Sequence, residues 1–292
     1  MILNFIRGFC MALADSVPGV SGGTIAFLLG FYDKFIDSLE QIMGKDKEKR
    51  KEAILFLLKI AGGWIIGMGG SVLVLASLFE RNIYQISSLF LGLILFSIPL
   101  IIVEEKKVLK GHYQNLVFLV IGVALVVILS CINPVSGQGI SVDVGSLNPG
   151  LCLYVFVAGA VAICAMVLPG ISGSTLLLIF GLYIPIITSL KELMHLHFEY
   201  LPVLVIFGLG VLTGIALVIK AIKVSLKKYR SQMIYLIIGM MIGSLYAIVV
   251  GPTTLSVPQE QLTLSTFHII FFLIGAVLVL GLQKLKMVGE KE

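Results

Sequence analysis

The chain has 292 residues, of which 58% are hydrophobic and only 13% charged, and its mean hydropathy is +1.08. Soluble domains carry about 25% charged residues, so this balance excludes a soluble globular protein and points to an integral membrane protein. The net charge of +5 would suit a nucleic-acid partner, but the placement of the basic residues, given below, supplies a different account.

The first apolar stretch, Ile2–Leu39, carries Arg7 and Asp15 and is broken by "PGVSGGT", Pro18 to Thr24. It has no basic region ahead of it, so it is expected to be mature protein and not a cleaved signal peptide. Pro18 cannot continue a helix, Gly19 reaches backbone angles closed to other residues, and Ser21 or Thr24 can cap a new helix near Gly22 and Gly23. The segment therefore predicts helix, tight loop, helix. Ile2 to Phe31 spans 30 residues, fewer than the ~40 that two crossings need, which predicts a re-entrant hairpin with its tip near mid-bilayer. Three spans follow, over Ile60–Phe79, Tyr84–Val103 and Tyr113–Ile132, each near the ~20 residues that cross ~30 Å of hydrocarbon. The second broken stretch, Leu151–Leu190, holds "PGISGST": Pro169, Gly170, Ser172, Gly173, Ser174 and Thr175 lie in it. At 40 residues it is long enough either to return or to span twice. Leu201–Lys220, Met233–Val250 and Thr266–Leu282 complete the set.

These elements form a repeat. Setting residue n against n + 151 aligns Gly8 with Gly159, Pro18 with Pro169, Ser21 with Ser172, Thr24 with Thr175 and Gly30 with Gly181. At n + 147, Gly63, Gly67 and Gly92 align with Gly210, Gly214 and Gly239, and Gly122 can be set against Gly275. Residues 1–145 and 146–292 are thus read as two copies of one unit, a hairpin plus three spans. An odd number of crossings per unit inverts the second copy. The expected fold class is an all-α integral membrane protein with an inverted repeat, each half a re-entrant helical hairpin plus three transmembrane helices, which is a transporter's architecture.

The charges follow the same scheme. One side receives Lys45, Lys47, Lys49, Arg50, Lys51, Lys59, Lys106, Lys107, Lys110, Lys220, Lys223, Lys227, Lys228, Arg230, Lys284, Lys286 and Lys291; the other receives Arg81 and Lys191. The positive-inside rule then places both termini in the cytoplasm. The basic residues serve as topological determinants, and no nucleic-acid partner is expected.

Non-helical backbone at membrane depth is tolerated where protein or a water-filled cavity surrounds it. Glycines there admit a ligand close to the backbone, and free amides favour an anion such as a phosphate. Close helix packing through small residues is the plainer reading of the same glycines. Arg7 could draw a phosphate headgroup toward the tip or could snorkel to the headgroups. Asp15, aligned with Met166, is a candidate for carrying a coupling proton, with an N-terminal cap as its alternative. Cys10, Cys131, Cys152 and Cys164 show no metal-ligand spacing, and neither a metal nor a cofactor is expected. "GVSG" and "GISG" resemble the nucleophile motif of rhomboid proteases, but the four histidines lie in loops or at span ends, away from either serine.

"RGFCMALADSVPGVSGGTIAFLLGFYDKFI" and "LPGISGSTLLLIFGLY" closely resemble the polyprenyl-phosphate transporter (PopT) family of bacterial membrane proteins, over essentially the whole chain. The resemblance implies a plasma-membrane flippase, not an enzyme, that returns undecaprenyl phosphate from the outer to the inner leaflet for cell-wall synthesis, with membrane lipids around it. It places Pro18, Gly19, Ser21, Gly22, Gly23 and Thr24, with Pro169, Gly170, Ser172, Gly173, Ser174 and Thr175, at two tips. Ser174 stands where the first motif has Gly23. A transporter of a small soluble anion would use the same tips, and a membrane hydrolase acting on polyprenyl pyrophosphate is a third reading that lacks a histidine–aspartate constellation.

Overall fold

The protein is described here by a computed structural model covering residues 2–15, 21–42, 44–70, 76–132, 148–171, 173–194, 196–254 and 259–289. Among the described residues every regular element is helical. The elements run α1 (Ile2–Asp15), α2 (Gly22–Leu28), α3 (Tyr32–Gln41), α4 (Lys47–Gly70), α5 (Ala76–Glu104), α6 (Lys106–Leu109), α7 (Leu116–Ile132), α8 (Pro149–Val167), α9 (Gly173–Ile179), α10 (Tyr183–Met194), α11 (Leu201–Lys228), α12 (Arg230–Val250) and α13 (Ile269–Gly289).

Five helical stretches are long and apolar enough to cross a bilayer: Lys47–Gly70, Asn82–Glu104, Tyr113–Cys131, Phe198–Lys228 and Arg230–Thr253. Four of the expected spans coincide with four of these to within a few residues, apart from an eight-residue extension of α11 beyond Lys220. The span expected over Ile60–Phe79 does not. Its helix, α4, starts at Lys47 and ends at Gly70, and Ala76–Phe79 already belongs to α5. Hydropathy marks where a helix enters lipid, whereas Lys, Glu and Arg are good helix formers that extend it into water. The stretch expected over Thr266–Leu282 falls on α13, whose apolar part within the described residues, Ile269–Gly281, is shorter than a full span. Large apolar side chains such as Leu58, Ile65, Val120, Leu212, Leu217, Ile270 and Val277 point outward, as a lipid-facing surface requires.

Both broken stretches fold into three helices. In the first, α1 and α2 have 14 and 7 residues, about 21 and 10 Å at 1.5 Å per residue. Both short second helices, α2 and α9, stop in the same way. Gly30 and Gly181 adopt left-handed φ values of 66° and 65°, and the following amide reaches back past the last turn, Phe31 N–H to the Ala26 carbonyl at 3.1 Å and Leu182 N–H to the Leu177 carbonyl at 2.8 Å. A residue with a Cβ is strained in that conformation, so glycine ends each helix.

Helix contacts recur under the repeat. α1 packs on α4 as α8 packs on α11, and α5 packs on α13 as α7 packs on α12. Glycines make these contacts close. A Cβ on Gly8 would collide with the Ile60 carbonyl, and one on Gly159, its match, with the Phe207 carbonyl. Gly63 and Gly210 sit against the carbonyls of Phe5 and Phe156, and Gly92 and Gly239 against those of Phe272 and Leu119. Small residues let helices without a hydrophobic driving force gain van der Waals contact.

The two halves are also joined by ion pairs. Lys223 on α11 bonds to Asp37, at 2.8 Å, and to Glu40 on α3; Arg230 at the start of α12 reaches Asp33 at 3.0 Å and Glu105, the residue before α6, at 2.6 Å. At the matching positions of the other half stand Ile184, Thr188, Ala76, Ile83 and Pro252, none of them charged, and Lys191 in place of Glu40.

Candidate functional site: two helix breaks in contact

The two breaks meet. Ser21 caps α2 in extended backbone conformation, with φ −128° and ψ 149°, and its Oγ accepts the Thr24 amide at 3.2 Å. That hydroxyl also faces the second break. Ser21 Oγ donates to the Leu168 carbonyl at 3.3 Å, and the Gly170 amide is shared between Thr24 Oγ1 at 2.8 Å and Ser21 Oγ at 3.3 Å. Tyr32 at the start of α3 donates to the Val167 carbonyl at 3.2 Å. The last carbonyl of α8 and those beyond it have no intrahelical partner, and the first half's hydroxyls serve two of them.

The local sequence explains the fit. A Cβ at Gly23 would lie 2.7 Å from the Val167 carbonyl oxygen, so the residue that opens the way to the second break has no side chain. Gly170 has φ 92° and its Cβ would lie 2.7 Å from the Met240 carbonyl on α12, so only glycine satisfies both the conformation and the approach. Ser21 and Thr24 are fully buried. Their hydroxyls, expected to face a phosphate, are spent in this conformation on joining the two breaks.

Asp15 ends α1 and closes the same loop. Its Oδ1 accepts the Gly22 amide at 2.6 Å and its Oδ2 accepts Trp64 Nε1–H, from α4, at 2.9 Å. The carboxylate is therefore partnered and caps α2 together with Ser21. Trp64, the single tryptophan, escaped the sequence reading; its lone appearance on a glycine-rich apolar helix was the available signal. Arg7 is not brought to the break. Its guanidinium lies over the Phe31 ring, 4.8 Å from the centroid, and donates to Asn4 Oδ1 at 3.0 Å. Phe31 follows the far end of α2, so Arg7 stands at the open end of the hairpin.

Gly173 opens α9 with Met166 beside it. Pro169 lies in the turn between α8 and α9. Pro18, Gly19 and Ser172 lie outside the described residues, and the side chains of Ser174 and Thr175 do also. No group of His, Cys, Asp and Glu among the described residues is arranged to hold a metal ion, and the four cysteines are unpaired.

A family model described as undecaprenyl phosphate translocase-like matches residues 11–266, a range that includes both breaks. The chain belongs to that family. It is similar to the polyprenyl-phosphate transporter of Staphylococcus aureus, 31% identical with 99% of this chain and 98% of the relative aligned. The polyprenyl-phosphate transporter of Vibrio cholerae is 30% identical, with 96% of each aligned. No solved structure matches the chain. Both translocase relatives are named as transporters and not as enzymes, in keeping with the expectation from the sequence.

Proposed function

We propose that this protein is a flippase that moves a polyprenyl phosphate, in the form of undecaprenyl phosphate, from the outer to the inner leaflet of the plasma membrane for reuse in cell-wall polymer synthesis. The observation that carries the reading is the direct contact of the two broken helices, in a chain aligned almost end to end with two named polyprenyl-phosphate transporters. The polyprenyl tail stays in lipid, so the protein has only to carry the charged headgroup across hydrocarbon.

In this reading the halves are inverted and each hairpin is re-entrant, so that the breaks meet from opposite faces. The recurrence of the same glycine-to-carbonyl contacts at matched positions supports the repeat, and an odd number of crossings per unit inverts the second copy. Re-entrance of the first hairpin is supported by legs too short to cross and by the bonds from α3 to the lysine-rich end of α11. Arg7, at the open end of the hairpin, helps bind the phosphate on the side of the cytoplasmic leaflet. The amides and hydroxyls of Ser21, Gly22, Gly23 and Thr24, with those of Ser172, Gly173, Ser174 and Thr175, become available to the anion when the breaks part. Both termini are cytoplasmic.

The test is reconstitution into liposomes carrying a fluorescent polyprenyl phosphate, followed by quenching of the outer leaflet. Protein-dependent redistribution of the label is the expected result. Uptake of labelled inorganic phosphate into the same vesicles, without redistribution of the lipid, would assign the site to a soluble anion instead.

A further inference from the structure

We infer that Asp15 and Trp64 are positioning residues, a polar brace that holds the first helix break in register for docking on the second and makes the two breaks functionally unequal. The inference rests on the transport reading above only for its consequence, not for its geometry.

One carboxylate joins three segments: the end of α1, the first residue of α2 and the middle of α4. Gly22, which it holds, is the neighbour of Ser21, and Ser21 with Thr24 makes the bonds to Leu168 and Gly170. The carboxylate therefore fixes the residue from which the interlocking hydroxyls are hung. The space is built around it, since a Cβ on Gly22 would lie 2.7 Å from Asp15 Oδ2. Both oxygens act as acceptors, one from an amide and one from an indole N–H, which is the arrangement an ionised carboxylate uses.

The second half shows that the fold does not require this brace. Asp15 is matched by Met166, and Trp64 by Val211 at the n + 147 register of α4 and α11. Both partners are replaced by apolar residues together, while Gly22 is matched by Gly173. There the Met166 side chain occupies the corresponding place, its Cβ 3.2 Å from where a Gly173 Cβ would stand. The same helix–break–helix is thus held by polar bonds in one copy and by packing in the other. A directional, charge-assisted bond fixes both distance and angle, whereas an unbranched methionine adapts its shape. The first break is the fixed member and the second is the one that yields when the pair opens.

The experiment uses the full protein in liposomes with two Trp64 variants, two Asp15 variants and a paired one. Trp64→Phe keeps an aromatic ring and removes the donor; Trp64→His gives a smaller ring with an N–H. If the brace acts through its hydrogen bond, Trp64→Phe raises amide exchange across Gly22–Ile25 about tenfold, the factor matching one charge-assisted bond. It also slows lipid movement, and Trp64→His recovers part of both. Phe performing better than His on both readouts would mean that Trp64 only fills space and would overturn the inference. Asp15→Ala combined with Trp64→Phe should be no worse than Asp15→Ala alone, because the two act as one unit; multiplying effects would also overturn it. Asp15→Asn tests the proton-carrying alternative: loss of a pH-dependent transport profile with unchanged exchange at Gly22–Ile25 would make Asp15 a proton carrier and not a brace. Coupled exchange in a wild-type protein that moves no polyprenyl phosphate would leave the brace standing and remove the transport reading.

Discussion

Replacing Thr24 with valine and Ser21 with alanine, singly and together, tests whether the two breaks hold each other through hydroxyl groups. Valine is nearly isosteric with threonine, so Thr24→Val removes the acceptor at 2.8 Å from the Gly170 amide and adds no bulk. Ser21 Oγ remains at 3.3 Å, and the cost is therefore at the low end of the 1–3 kcal/mol for a buried unsatisfied group, about 1 kcal/mol. Ser21→Ala removes the cap of the Thr24 amide, worth about 1 kcal/mol, and the donor to the Leu168 carbonyl, for a total of about 1–2 kcal/mol. Together they leave the Gly170 amide with neither acceptor in a site where Ser21 and Thr24 are fully buried. The double variant should then lose about 1–2 kcal/mol more than the sum of the single ones, a coupling of the size seen for residues in one network. The assay is reversible unfolding in detergent micelles, with Thr213→Val as control. Thr213 bonds only within its own helix and is exposed, so the control should change stability by less than about 0.5 kcal/mol. A double variant equal to the sum of its singles within about 0.5 kcal/mol would refute the interlock.

Gly63→Ala and its match Gly210→Ala should each destabilise by about 1–3 kcal/mol through overpacking against a carbonyl, whereas Gly69→Ala, with open space around it, should be neutral or slightly stabilising in the same unfolding assay. Arg7→Lys should retain part of the lipid movement measured in liposomes and Arg7→Gln very little, because lysine keeps the charge but not the planar contact with Phe31. Lys223→Gln should lower stability by about 1 kcal/mol at low salt, and by less at high salt, since its acidic partners are substantially exposed. Single cysteines at Lys47 and Leu264 should label from opposite sides of the membrane with an impermeant reagent; labelling from one side would refute the inverted arrangement.

Much of the helical plan was already present in the chain as a one-dimensional pattern. Hydropathy, proline and glycine act locally, and so most of the apolar helices and the two breaks were legible from residue order alone. The repeat was legible as well, because glycines that touch a neighbouring backbone cannot be exchanged freely and stay in register between the copies. The start of α4 at Lys47 was not, since charge hides a helix from hydropathy without ending it. What tertiary structure alone decided is who faces whom. Asp15 and Trp64 are 49 residues apart in the chain, and the Gly170 amide is 146 residues from the hydroxyl of Thr24. A hydrogen bond depends on distances of about 3 Å and on direction, and neither is encoded at any single position. Only when α1 closes on α4 and the two breaks come together is the cap chosen over the proton-carrying alternative for Asp15 in this conformation, and do hydroxyls expected to cap a helix and face a phosphate also become the joint between the halves.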